Sequence, residues 1–195
     1  MFRGAHVVIR PIEADDQAFI TALNADPAVR ANVGGWDFPQ SLHQQERWFA
    51  EHSESSTHRW LVTDASGDPI GLTGLWQVNW HDHNAEVAIK LGGTSNVRGR
   101  GLGSDTLKAV MAFAFYEVGL HRLYATILSS NTASIKLFVN HAGFQHEGVA
   151  RQQVWRHGRY VDLLHLGALR QDFDALPDAP EYVARITTSS DGLNP

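Results

Sequence analysis

Residues 98–104 read Arg-Gly-Arg-Gly-Leu-Gly-Ser, three glycines within five positions, interleaved with two arginines and leading into a long apolar periodic segment. Glycine has no Cβ, so it accepts left-handed turns and lets main-chain amides approach a ligand closely. A helix beginning just after the glycines adds the unpaired N–H groups of its first turn and the positive end of its dipole. Arg98 and Arg100 add charge that does not titrate away. The chemistry indicated is capture of a phosphate or pyrophosphate. Two common templates fail against it. No Lys follows the glycines as a Walker loop requires, and the spacing Gly99, Gly101, Gly103 is not that of a dinucleotide fingerprint.

Other chemistry is narrowed by composition. The chain has no cysteine, which excludes disulfides, thiolate metal sites and a cysteine nucleophile. His81 and His83 alternate about Asp82 in an extended stretch, so both face one way. No third metal ligand is evident, and the pair reads as a turn beside a substrate cleft; no metal is expected. A formal charge of −5 speaks against a general nucleic-acid binder and mildly favours a cationic substrate such as an amine.

The elements that must carry these residues follow from periodicity. The 195 residues, 43% of them hydrophobic, suffice for one globular domain with a single core. Strands are predicted at 6–11, 59–63, 70–78, 85–91, 122–128, 143–155 and 160–169, helices at 13–23, 41–52, 102–118 and 133–139, and a short helical turn beginning at Asp26-Pro27. Leu107, Val110, Met111, Ala114 and Val118 recur at helical spacing before Gly119. Beyond Asp172 the composition turns to Pro, Asp, Ser and Thr, so residues 173–195 are expected to be a loosely ordered tail to a domain spanning 1–172. A cytoplasmic location is the expectation, since neither a leader nor a long apolar run appears, and no membrane partner is expected.

The loop resembles the R/Q-x-x-G-x-G/A signature of the GNAT family of N-acetyltransferases, whose loop amides hold the pyrophosphate of acetyl-CoA. Residues 119–128 are similar to the strand after that family's coenzyme helix. Asn131-Thr-Ala-Ser134, followed by Gly143-Phe144, resembles its N-x-x-S…G-F segment. Tyr160 and Asp162, after Gly158, resemble the closing hairpin of the branch that holds ribosomal-protein N-terminal acetyltransferases and spermidine acetyltransferases. The resemblance covers about residues 5–172. It implies an α/β (α+β) GNAT fold, with a central mixed, mostly antiparallel twisted sheet of about seven strands flanked by about four helices.

The same resemblance implies acetyl-CoA as cofactor, held by Leu91, Arg98, Gly99, Arg100, Gly101, Leu102, Gly103, Ser104 and Asn131. It implies Glu86 as the base that deprotonates the amine and Ser134 as the group that stabilises the departing thiolate. Each has a structural alternative: a strand glutamate in an ion pair, and a first-turn serine bonded to local backbone. Asn131 also suits an ordinary helix N-cap. Trp36, His81 and His83 are expected to border the acceptor.

One departure stands out. Phe138 occupies the position where many family members carry a tyrosine general acid, and the 131-to-143 interval is one residue longer than usual, which re-phases the helix end. Tyr124 and Tyr160 carry hydroxyls, and neither is assigned a role. Phe138 fits the serine-using branch, so a protein or peptide N-terminus is the favoured primary-amine acceptor. Such an amine titrates near 7.7–8.0 and needs little help, whereas a lysine-type amine titrates near 10.4. The alternatives are a small amine (polyamine, amino sugar or aminoglycoside), a non-catalytic acyl-CoA sensor, and an unrelated nucleotide-binding protein. A homodimer is a further expectation of the resemblance.

Overall fold

Short apolar strands separated by turns collapse here into one sheet with helices on both faces. The computed structural model describes residues 1–33, 41, 43, 44, 47, 57–92 and 99–190, with side chains to 186. The strands are β1 (Phe2–Arg3), β2 (Val7–Arg10), β3 (His58–Asp64), β4 (Pro69–Asn79), β5 (Asn84–Leu91), β6 (Arg122–Leu128), β7 (Gln145–Arg156) and β8 (Arg159–Leu169). They form one sheet in the order β1-β2-β3-β4-β5-β6-β8-β7. Seven match the predicted strands, and the eighth is the two-residue β1, registered as Phe2 opposite Ile9. Every pairing is antiparallel except that of β5 with β6.

Alternation along the strands sends neighbours to opposite faces. Leu61 and Leu72 form a cluster with Ile20, Leu23 and Val29, which belong to α1 (Gln17–Ala25) and α2 (Pro27–Arg30). Val62, next to Leu61, joins Val7, Ile70 and Leu102 instead. Leu102 opens α3 (Leu102–Ala112), which runs on into a π-helical turn at Phe113–Glu117 and ends before Gly119 in a left-handed conformation. Leu107, Val110, Met111 and Ala114 are fully buried, which is the spacing that predicts this helix. Among the described residues no helix is long and apolar enough to cross a membrane.

The segment after Asp172 departs from the loosely ordered tail expected there. Arg170–Asp174 is helical (labelled α5, following α4 at Thr132–Lys136), and Ala179–Ser190 forms a twelve-residue helix, α6. Phe173, Ala179, Tyr182 and Ile186 are buried. The last three lie at i, i+3 and i+7, an apolar stripe that the surrounding Pro, Thr and Ser residues dilute in composition.

What holds α6 down lies far away in sequence. The Tyr182 hydroxyl donates to the Asp105 carboxylate at 2.8 Å, and the Lys108 ammonium pairs with Asp178 at 2.6 Å. Asp105 also accepts the backbone N–H groups of Ala5, His6 and Val7 at 2.6, 2.7 and 3.0 Å. Burial, and then the bond to Asp105, push the Tyr182 pKa well above its ordinary value, so the phenol stays a donor.

Tyr182→Phe keeps the ring and removes that donor. A hydrogen bond to a buried carboxylate contributes about 1.5–3 kcal/mol, so the urea midpoint of the variant should fall by the corresponding amount. A midpoint identical to the parent's would mean that α6 is not docked in solution.

Candidate active site

The glycine loop meets its helix through two left-handed residues. Gly99 has φ 76° and Gly101, the N-cap of α3, has φ 75°. A Cβ at either would meet open space, so glycine is needed there for the backbone angle and not for room. Gly103 is different: it lies inside the helix, and a Cβ would touch Leu137 at 3.4 Å and Leu91 at 3.6 Å. The first intrahelical bond runs from the Asp105 N–H to the Gly101 carbonyl at 3.0 Å. The N–H groups of Leu102, Gly103 and Ser104 therefore lie outside the helix's own ladder, at its positive end.

Beside this loop the sheet comes apart. β5 and β6 pair only over Asn84–Arg122, Ala85–Leu123 and Glu86–Tyr124. β5 continues to Leu91 against β4, and β6 continues to Leu128 against β8. Past Glu86 the two strands diverge, and among the described residues no further β5–β6 pairs form. A cleft of about 1890 Å³ follows this split. It is lined by Val87–Leu91 on one flank, by Ala125–Ile127 on the other, and by Gly99–Asp105 at the mouth of the loop. That volume exceeds the several hundred Å³ of a single small-ligand pocket, enough for a large cofactor and an acceptor together.

Glu86 stands where the pairing ends. It lines the cleft, and its Oε1 accepts the Thr126 hydroxyl at 2.7 Å. Tyr124, two residues before Thr126 on β6, is registered opposite Glu86. Burial first, and the Glu86 charge second, raise the pKa of Tyr124. Where the strand-glutamate alternative calls for an Arg or Lys partner, Glu86 instead bonds the neutral Thr126 hydroxyl.

Ser134 lines the same cleft from the first turn of α4. Asn131 is the N-cap of that helix: its Oδ1 accepts the Ser134 N–H at 3.1 Å, while its Nδ2 donates to the Asn32 carbonyl at 2.9 Å. Both ends of the Asn131 amide are thus engaged within the protein, although the residue borders the cleft. The predicted re-phasing takes a definite form. α4 passes into a π-helical turn at Leu137–His141, which absorbs one extra residue before Gly143. Phe138 on this turn is buried, packs edge-on against Phe144 and faces the cleft.

Of the residues expected to bind cofactor, Leu91, Gly99, Arg100, Gly101, Leu102, Gly103, Ser104 and Asn131 all line the cleft. Arg98 and Trp36 lie outside the described residues. His81 and His83 do not join the site. They occupy the β4–β5 turn, on the paired side of Glu86, and are absent from the lining of the cleft. Among the described residues no three His, Asp or Glu side chains converge as a metal site would require.

Several lining residues carry no short-range signal. Thr126 finds Glu86 from 40 positions away. Arg59 lies over the Trp76 ring at 5.6 Å, both facing the cleft, and burial pulls the pKa of this guanidinium below its ordinary value. Lys90 reaches Asn24 on α1 at 2.8 Å. Only the strand alternation of Tyr124 and Thr126 was available in advance, and it becomes informative once β5 and β6 are known to be neighbours.

Residues 6–145 match the family model described as an acetyltransferase (GNAT) domain. YoaA, an uncharacterized N-acetyltransferase of Bacillus subtilis (strain 168), is 36% identical over 162 residues, covering 80% of this chain and 89% of that protein. The spermidine N(1)-acetyltransferase of Vibrio cholerae is 24% identical over 174 residues, or 87% of this chain and 96% of that protein. The crystal structure of spermidine N-acetyltransferase from Vibrio cholerae in complex with CoA and spermine aligns with a TM-score of 0.78 at 24% identity, over 86% of this chain and 97% of that one.

The two kinds of glycine separate experimentally. Alanine at the left-handed Gly101 carries about 1–2 kcal/mol of backbone strain, which must surface as a lower melting temperature, a weaker calorimetric affinity for coenzyme A, or both. Gly103→Ala, with only van der Waals neighbours, should change neither appreciably. Parent-like behaviour of Gly101→Ala in both measurements would remove the loop from the ligand site.

Proposed function

The chain belongs to the GNAT acetyltransferases and is an acetyl-CoA-dependent N-acetyltransferase; on that premise we propose that its acceptor is a small primary amine of the polyamine class, deprotonated by Glu86. The peptide N-terminus favoured from the sequence gives way to this class, because a full-length relative is named for spermidine and a similar fold was solved with spermine. The single observation that carries the catalytic part is the position of Glu86, a carboxylate fixed by Thr126 where the sheet opens.

The residues present suit the cofactor. A diphosphate fits the amides of Leu102, Gly103 and Ser104 with Arg100 beside them, and an extended arm fits the edge of β5 that diverges from β6 beyond Glu86. Acetyl-CoA supplies the activated acyl group and a thiolate leaving group. Glu86 accepts the proton of the amine, directly or through one water, and Thr126 keeps its carboxylate turned into the cleft. The Ser134 hydroxyl donates toward the departing sulfur, a role that Phe138 has no proton to fill. A lysine-type amine is almost wholly protonated at neutral pH, so a polyamine needs this base far more than an N-terminal amine does. A homodimer belongs to the same proposal, and sedimentation equilibrium of the purified protein decides it.

A panel of spermidine, spermine, amino sugars and short peptides, read by free-thiol release, should show the polyamines acetylated fastest. Peptides turning over faster than every small amine would reverse the choice of acceptor. Glu86→Gln should cost about 100-fold or more in kcat near pH 7, and the deficit should shrink as pH approaches the amine's own pKa of about 10.4. A pH–rate profile parallel to the parent's would dismiss Glu86 as the base. Ser134→Ala should lower kcat while leaving the KM for acetyl-CoA nearly unchanged, and parent-like turnover would dismiss the serine.

A further inference from the structure

Two side chains, from elements far apart in sequence, grip adjacent carbonyls of one short turn. Asn131 Nδ2 donates to the carbonyl of Asn32 at 2.9 Å, and Arg156 Nη2 donates to the carbonyl of Val33 at 2.8 Å. The turn follows α2, whose end is closed locally: the Asn32 N–H donates to the Val29 carbonyl at 3.0 Å, and the Asn32 side chain donates to the Ala28 carbonyl at 2.8 Å. The carbonyls just past the helix point away from it and meet the N-cap of α4 on one side and the end of β7 on the other. Asn32, Val33, Asn131, Val154 and Leu163 all border the cleft, with Asn32 and Val33 on the α1–α2 face and the glycine loop of α3 on the opposite face.

We infer that Asn131 and Arg156 are positioning residues for the amine acceptor, bridging the divided sheet and setting the Asn32–Val33 turn at a fixed height over the cleft. The geometry separates this role from cofactor binding. Asn131 uses its oxygen on the Ser134 N–H and its nitrogen on the turn, so the same amide registers the turn against the residue proposed to meet the departing sulfur. Arg156, at the end of β7, supplies the second point, and two points fix an orientation where one leaves a pivot. The glycine loop takes no part in either bond. The inference rests on reading the cleft as an acyl-acceptor site, and it assigns selectivity for the amine to residues that do not touch the amine themselves.

Asn131→Asp isolates the donor: a carboxylate still caps Ser134 but cannot donate to Asn32. Arg156→Gln shortens the other arm. With spermidine as the amine and calorimetry for coenzyme A, each variant should raise the spermidine KM by about five-fold or more while the coenzyme Kd holds within about two-fold. The double variant should show less than the product of the two effects, because both act on one turn. A higher coenzyme Kd with unchanged spermidine KM in Asn131→Asp would overturn the inference in favour of direct cofactor contact. Both constants moving together with a lower melting temperature would overturn it in favour of a purely structural role. If the parent acetylates no amine, hydrogen exchange decides independently: faster exchange over residues 27–33 in either variant supports the bridge, and parent-like exchange there refutes it.

Discussion

A parallel pairing that stops after three residues governs this molecule. Backbone N–H and C=O groups leave water at a cost unless they find partners, so a strand edge left open inside a domain calls for water or a ligand. Here the opening persists because each flank is secured on its far side. β5 is held to β4 through Leu91, and β6 to β8 through Leu128. An extended group that hydrogen-bonds like a strand suits such an edge better than a flat or globular one. Glu86 stands at the last paired step, where this interruption begins.

The anion site at the mouth of the split depends on a second constraint. A carboxylate in the first turn of a helix competes with a bound phosphate for the positive end. Asp105 occupies such a position, yet its charge is directed away from the loop and met by three backbone N–H groups and a phenol. The N-terminal turn and the C-terminal helix therefore converge on the first turn of the cofactor helix. Gly4 is part of the same arrangement, since a Cβ there would lie 2.5 Å from the Asp105 carboxylate. Both ends of the described chain brace the piece that must stay still while a large anionic ligand comes and goes.

Much of this was legible from local pattern. The glycine spacing, the alternation of β3 to β6 and the apolar period of α3 each arise from interactions within ten or so residues; they indicate a phosphate site, and the resemblance to the GNAT family is what implied acetyl-CoA. Features made by distant partners were not. The α6 stripe at Ala179, Tyr182 and Ile186 was written in the sequence, but its polar surroundings hid it until Asp105 supplied the partner. The histidine pair at 81 and 83 was placed by proximity along the strand, where the direction of the strand decides which end meets the cleft. Asn131 shows a subtler limit. Its type and spacing suit both a cofactor ligand and a helix cap, and only the carbonyl of Asn32 reveals where its second group goes.

The π-helical turn at Leu137–His141 gives the site an adjustable register. Such a turn holds one residue more than the ladder on either side needs, and each residue of an α-helix rotates the next by about 100°. Loss of one residue here would let the ladder run straight into Ala142 while Gly143 and Phe144 kept their places. A different side chain would then turn toward the cleft where Phe138 now sits. Length variation at this one spot is thus a route by which the same scaffold exchanges the group that lines the cleft at Phe138 without rebuilding the walls around it.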